Sequence, residues 1–207
     1  MNEKILWYVA DPMCSWCWGF APVIEQVRNT YGHRLKVELL LGGLRPGTSH
    51  PLPSPQRQEI LGHWQAVHRV TGQPFQFAGA MPEGFIYDTE PACRAVVVVS
   101  MLNPEAIFTF FRAVQSAFYV EQRNVTDALV LAELAGDVGL ETQQFLQAFE
   151  SDAARDMTQG HFHRASQLGV RGFPTLIGQK AALYLLISGG YCPLEELNPK
   201  IIQWLDT

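Results

Sequence analysis

Two cysteines, Cys14 and Cys17, stand where a short apolar run gives way to an amphipathic segment. No other feature constrains the fold as much. The run is Ile5 to Ala10 (ILWYVA), rich in aromatic and β-branched residues and stopped by Asp11-Pro12. Its length and its stop predict a buried strand. Beyond Cys17 the apolar residues Phe20, Val23, Ile24, Val27 and Tyr31 fall three and four apart. That spacing predicts a helix over Trp18 to Tyr31, closed by a left-handed Gly32. Leu35 to Leu41 predicts a second strand. A β-α-β opening of this kind makes its two strands parallel. Pro22 lies inside the predicted helix, where proline removes a hydrogen bond and favours a kink.

After Gly42-Gly43 the texture changes. RPGTSHPLPSP is dense in Pro, Gly and Ser and reads as a long loop. Helical patterning then runs to about Leu168. The predicted segments are Gln56 to Val70, Thr89 to Met101, Pro104 to Val120, a helix capped by Thr126 and reaching Leu134, Thr142 to Phe149, and Asp152 to Leu168. The Val96 to Val99 run suits a strand by propensity, but Ala92, Arg94 and Ala95 precede it in helical register. In Pro104 to Val120, Ile107, Phe108, Phe111, Val114 and Phe118 share one face, as core residues do. In Asp152 to Leu168 the expected buried side is Met157, His161, Ala165 and Leu168. Strand-like PTLI (174 to 177) and LYLLI (183 to 187) follow, then an amphipathic helix over Leu194 to Leu205. The expected domains are a discontinuous α/β unit, 1–48 with 152–207, and a helical insertion domain, 49–151.

Hydrophobic residues make up 47% of the 207 and charged residues 17%, enough to bury a substantial core. Net charge is −5 with both signs interspersed, so the basic stripe that nucleic acid requires is missing. No run approaches the ~20 apolar residues of a membrane span. The start, MNEK followed by six apolar residues, does not fit a secretory signal. The expectation is a cytoplasmic protein without nucleic-acid or membrane partners. In a reducing cytosol four cysteines are not a disulfide framework, and a close Cys-x-x-Cys pair suggests redox chemistry or metal.

The placement of the pair favours redox chemistry. A thiolate at Cys14 would face unpaired N–H groups and the positive end of the helix dipole, both of which stabilise the nucleophilic anion. Cys17 lies one turn on, within disulfide reach. Cys14 is thus the predicted nucleophile and Cys17 the thiol that resolves the mixed disulfide. Ser15 and Trp16 between them add no positive charge, so a moderate potential is expected. A structural zinc site would need two further ligands, and the only suggestive partners, His161 and His163, diverge on a helix. Cys93 and Cys192 read as small buried hydrophobes, with Cys93 the alternative partner for the redox pair.

Two segments together carry a resemblance. DPMCSWCWGF (11 to 20), with a proline in the helix it opens, and GVRGFPTL (169 to 176), after a long helical block, resemble the DsbA-type branch of the thioredoxin superfamily. EPACRA (90 to 95) is similar to the insertion of cytoplasmic DsbA-like and FrnE-like members. The resemblance spans essentially the whole chain. It implies an α/β, thioredoxin-like fold with a large all-helical insertion, and a thiol–disulfide oxidoreductase or disulfide isomerase. It also implies that Pro174 is the family's cis-proline, beside the cysteines in space. Phe173, Pro174 and Thr175 would then form a loop facing the substrate, with Trp16 on the same surface and a groove between insertion and redox turn. Disulfide exchange needs no bound cofactor. Something must reset the pair, with glutathione or a reductase as the expected partner alongside protein or peptide thiols and disulfides. Two alternatives stand: a glutathione-dependent isomerase or transferase of the same fold, and a non-catalytic binding or chaperone module.

Overall fold

The computed structural model describes residues 4–207. Strand β1 (Lys4–Ala10) leads into α1 (Ser15–Tyr31) and β2 (Lys36–Leu41). A helical block follows: α2 (Ser54–Thr71), α3 (Glu90–Leu102), a 3₁₀ turn (Pro104–Ala106), α4 (Ile107–Tyr119), α5 (Ala128–Gly136) and α6 (Thr142–Phe149). The chain returns through α7 (Asp152–Gln167), β3 (Thr175–Lys180), β4 (Leu183–Gly189) and α8 (Leu194–Leu205). The sheet order is β2-β1-β3-β4. β1 pairs parallel with β2 and antiparallel with β3, and β3 pairs antiparallel with β4. The first and last parts of the chain therefore meet at β1, whose end carries the cysteine turn.

One hydrophobic core runs through sheet and helical block. Tyr8 of β1 packs on Phe20 of α1 (centroids 5.8 Å) and on Phe111 of α4 (6.1 Å). Within the block, Trp64, Phe75 and Tyr119 meet with centroids 4.9 to 5.5 Å apart. The valine run is helical because α3 is buried on every side, from Ala92 through Val99. A helix enclosed in this way needs no polar face.

Three local expectations are corrected. Gly32 ends α1 in a right-handed conformation, φ −58°, not a left-handed one. The cap of α5 is Asp127, whose carboxylate accepts from Leu129 N at 2.8 Å. Thr126 lies one residue outside the cap, and its hydroxyl donates to Asn124 Oδ1 at 2.7 Å. In α7 the buried face is Ala154, Thr158 and Ala165, and Met157 points to solvent. Phe162 packs inward instead and lies close against Gly43.

Candidate active site

β1 stops at Asp11-Pro12 and α1 begins at Ser15, so the cysteines occupy the turn between them. Cys14 is the residue that opens α1, with extended dihedrals (φ −89°, ψ 117°) and no side-chain cap. The first helical hydrogen bond runs from Trp18 N to Cys14 O at 3.1 Å. The N–H groups of Ser15, Trp16 and Cys17 therefore have no partner along the helix. They and the helix dipole favour a negative charge at this end.

The loop before β3 comes to the same place. Cys14 Sγ lies 3.7 Å from Phe173 O, and the Phe173–Pro174 peptide bond is cis. Gly190 N donates to Pro174 O at 2.7 Å, and Thr175 Oγ1 donates to Gly172 O at 2.7 Å. These bonds hold the loop on both sides of its proline. The Phe173 ring rests against Gly42, where an added Cβ would stand 1.9 Å from a ring carbon. No other residue fits at 42 without moving that ring.

Trp16 is half-buried and packs 5.7 Å from Tyr191. Trp16, Val70, Phe173, Gly190 and Tyr191 line an open cleft of about 320 Å³. Val70 belongs to α2, so the cleft lies between helical block and cysteine turn. A larger groove of about 550 Å³ begins at Phe173 and runs past Thr175 to Tyr184 and Leu186 of the edge strand. Trp18 is buried instead, stacked on Tyr119 (5.9 Å, 19° between planes).

All four cysteines are free thiols. Cys17 is fully buried next to Cys14. Burial above all, then the neighbouring Cys14, pushes its thiol well above the ordinary range, although the Asp11 N–H acts in the opposite direction. Asp11 has no exposed surface. Its carboxylate accepts from Met13 N (2.8 Å) and Leu44 N (2.6 Å), and the Cys93 thiol donates to it at 3.4 Å. Burial raises the Asp11 pKa, and the bonds from Leu44 and Met13 offset part of that rise. Burial, and then the Asp11 charge, pushes the Cys93 thiol well up.

The helical block completes the turn at three points. Tyr87 donates its hydroxyl to Met13 O, Cys93 binds Asp11, and Gln73 serves the helix. Pro22 cannot donate to Trp18 O, four residues back. Gln73 Nε2 takes that role at 2.8 Å, and Trp18 Nε1 donates to Pro74 O at 2.9 Å. With its freed carbonyl satisfied, α1 runs unbroken through Pro22.

The structure thus brings Cys14, Cys17, Trp16, Phe173 and Pro174 together. Thr175 is buried with its hydroxyl turned to Gly172 and lines only the larger groove. Cys192 stands apart, 3.7 Å from Lys200 Nζ. His161 is a structural residue: its Nδ1 accepts from Leu41 N at 3.3 Å, and burial lowers its pKa. Among the described residues no group of three or more His, Cys, Asp or Glu is arranged to hold a metal. Gln73 and Tyr87 carry no mark in the sequence, and Asp11 reads there only as a nearby charge. Pro22 was the one available signal, since the carbonyl it frees requires a donor from elsewhere.

A family model described as the DSBA-like thioredoxin domain matches residues 6–190. The chain belongs to this family. Its fold is accordingly α/β and thioredoxin-like, with the helical block inserted between β2 and α7, and it is the fold of DsbA-like thiol–disulfide oxidoreductases. A candidate protein disulfide isomerase from Nitrosomonas europaea is 48% identical over 99% of this chain and 98% of its own, with a TM-score of 0.94. The cytosolic disulfide reductase DsbM from Pseudomonas aeruginosa is 26% identical over 98% of each chain, TM-score 0.80. That reductase has also been solved with glutathione. Among curated proteins, the ClpXP adapter protein SpxH of Bacillus subtilis is 23% identical over 83% of this chain. The chain spans only 55% to 56% of the length of these adapters. No helix among the described residues is long and apolar enough to cross a membrane.

Proposed function

We propose that this DsbA-family chain reduces and reshuffles disulfides in proteins or peptides, with Cys14 as nucleophile and Cys17 as resolving thiol. One observation carries the reading: the Cys14 sulfur lies at the start of α1, 3.7 Å from the Phe173 carbonyl, with the Cys17 thiol buried beside it. The Cys14 thiolate attacks one sulfur of a substrate disulfide. That S–S bond breaks, and the departing sulfur keeps the electron pair and takes a proton from water. Cys17 then loses its proton and attacks Cys14, forming the Cys14–Cys17 disulfide and releasing the second substrate sulfur as a thiolate. The substrate has gained two electrons and the pair has lost them. Two molecules of glutathione reset it, becoming glutathione disulfide, and the glutathione complex of DsbM supports that choice. Trp16, Phe173 and Pro174 form the substrate surface, and the Phe173 main chain offers pairing to an extended segment. A reducing cytoplasm suits a reductase of this kind.

The test is trapping. Cys17→Ala should accumulate a mixed disulfide on Cys14, and Cys14→Ser should form none. The wild-type pair, equilibrated with glutathione, should have a potential between about −270 and −180 mV, the span from thioredoxin to protein disulfide isomerase. No adduct on Cys17→Ala removes the reading. The matched SpxH adapters favour a second one, a binding module. It requires a wild type without reductase activity and a Cys14→Ser variant that still binds its partner.

A further inference from the structure

Cys17 cannot attack until it loses its proton, and it is sealed from solvent. Tyr8 of β1 stands next to it. The Tyr8 hydroxyl is fully buried, stands close enough to Cys17 for the thiol to raise its pKa after burial, and has no hydrogen-bond partner of ordinary geometry. Tyr8 also lines a small cavity of about 20 Å³ with Glu25 of α1 and Arg112 and Gln115 of α4. Arg112 Nη1 and both amide atoms of Gln115 are likewise buried and unpartnered. Native structures satisfy roughly 90% or more of such groups, so four around one space signal a shared partner. Room for one water requires about 10–15 Å³ and two to four polar neighbours, and this cavity has both. Glu25, on its rim, is exposed to solvent and lies in the field of Arg112.

We propose that Tyr8, a water held in this cavity and Glu25 form a proton path that discharges the Cys17 thiol to solvent as Cys17 attacks the mixed disulfide. The path rests on the reading of Cys17 as resolving thiol. The Cys17 proton passes to the Tyr8 oxygen while Tyr8 gives its own to the water, and the water gives one to the Glu25 carboxylate. Tyr8 and the water end as they began, Cys17 is a thiolate, and Glu25 releases the proton to bulk. Arg112 and Gln115 are positioning residues that orient the water. Arg112 is itself fixed over Trp18, 4.2 Å from the ring centroid. The titratable groups around Cys17 are Cys14, Asp11, Tyr8 and Tyr119, with Arg112 and Glu25 across the cavity.

Rapid acid quench after mixing reduced protein with glutathione disulfide separates the two steps. Tyr8→Phe should form the Cys14–glutathione adduct at the wild-type rate. Its release of glutathione at neutral pH should be about a hundredfold slower, the low end of what a positioned proton-transfer group supplies. The deficit should shrink as pH rises and solvent base removes the proton directly. Glu25→Gln, an exposed change that carries the test if Tyr8→Phe does not fold, should slow the same step at neutral pH. Wild-type release in either folded variant, or a deficit equal at every pH, overturns the path and leaves Tyr8 a packing residue. A wild type that forms no adduct on Cys14 overturns the redox reading itself, and the path with it.

Discussion

The Cys14 sulfur lies 3.7 Å from the carbonyl oxygen of Phe173, a residue 159 positions further along the chain. Pairing of β1 with β3 produces this approach, since Val9 and Thr175 are register partners. The sheet therefore sets the geometry of the site, and the loops only finish it.

Slight exposure at the start of α1 should set Cys14 apart from Cys17 and Cys93 in reactivity. Cys17 and Cys93 have no exposed surface, and burial holds both well above the ordinary thiol range. Brief treatment of the reduced native protein with iodoacetamide at pH 7 should label Cys14 first, by peptide mass analysis. Unfolding should expose all four cysteines. Equal labelling of Cys14 and Cys17 in the native state would contradict the buried position of Cys17.

Gly42→Ala should damage the site from a distance. The new methyl overlaps the Phe173 ring, so the ring must move, and it belongs to the residue whose carbonyl approaches Cys14. Overpacking of this kind costs about 1–3 kcal/mol. Denaturant titration should show that loss, and disulfide reduction should slow. Adding Phe173→Ala should restore stability, because it removes the overlapping ring. A double variant no more stable than Gly42→Ala alone would exclude this contact as the cause.

Gln73 and Pro22 should be energetically coupled. Gln73→Ala leaves the Trp18 carbonyl buried and unpaired, at a cost of about 1–3 kcal/mol. In a Pro22→Ala background the restored N–H of residue 22 can bond that carbonyl, so the same change should cost clearly less. A double-mutant cycle measures the difference. Equal costs in both backgrounds would remove the compensation.

Asp11 sets a pH dependence. Its pKa in the folded protein lies above the unfolded value of 3.8, chiefly through burial. Between those two values the folded state holds more protons than the unfolded chain, so stability falls as pH rises through that window and is level above it. Relative to Asp11→Asn, the wild type should lose stability on going upward from about pH 4. Stability of the wild type that rises relative to Asp11→Asn over that window would show a carboxyl pKa lowered by folding instead.

Much of the fold is legible in the residues. The apolar run of β1, the spacing of α1 and the exact extents of α6 and α8 follow from period and composition, because packing agrees with propensity there. Caps were harder to read. Thr126 and Asp127 are adjacent and both able, and only the start of the helix at Ala128 decides between them. The site was legible at its cysteines and its proline loop, where residue type carries the chemistry. Asp11, Gln73 and Tyr87 were not, because their roles come from partners 33 to 82 residues away.

The Tyr87 hydroxyl on Met13 O, like the bonds from Gln73 and Cys93, comes from the helical block. Swapping that block for the block of a relative would also swap three supports of the cysteine turn. Chimaeras should therefore carry substrate preference and thiol chemistry together, and a graft that keeps one while altering the other must retain the tyrosine, the glutamine and the third cysteine.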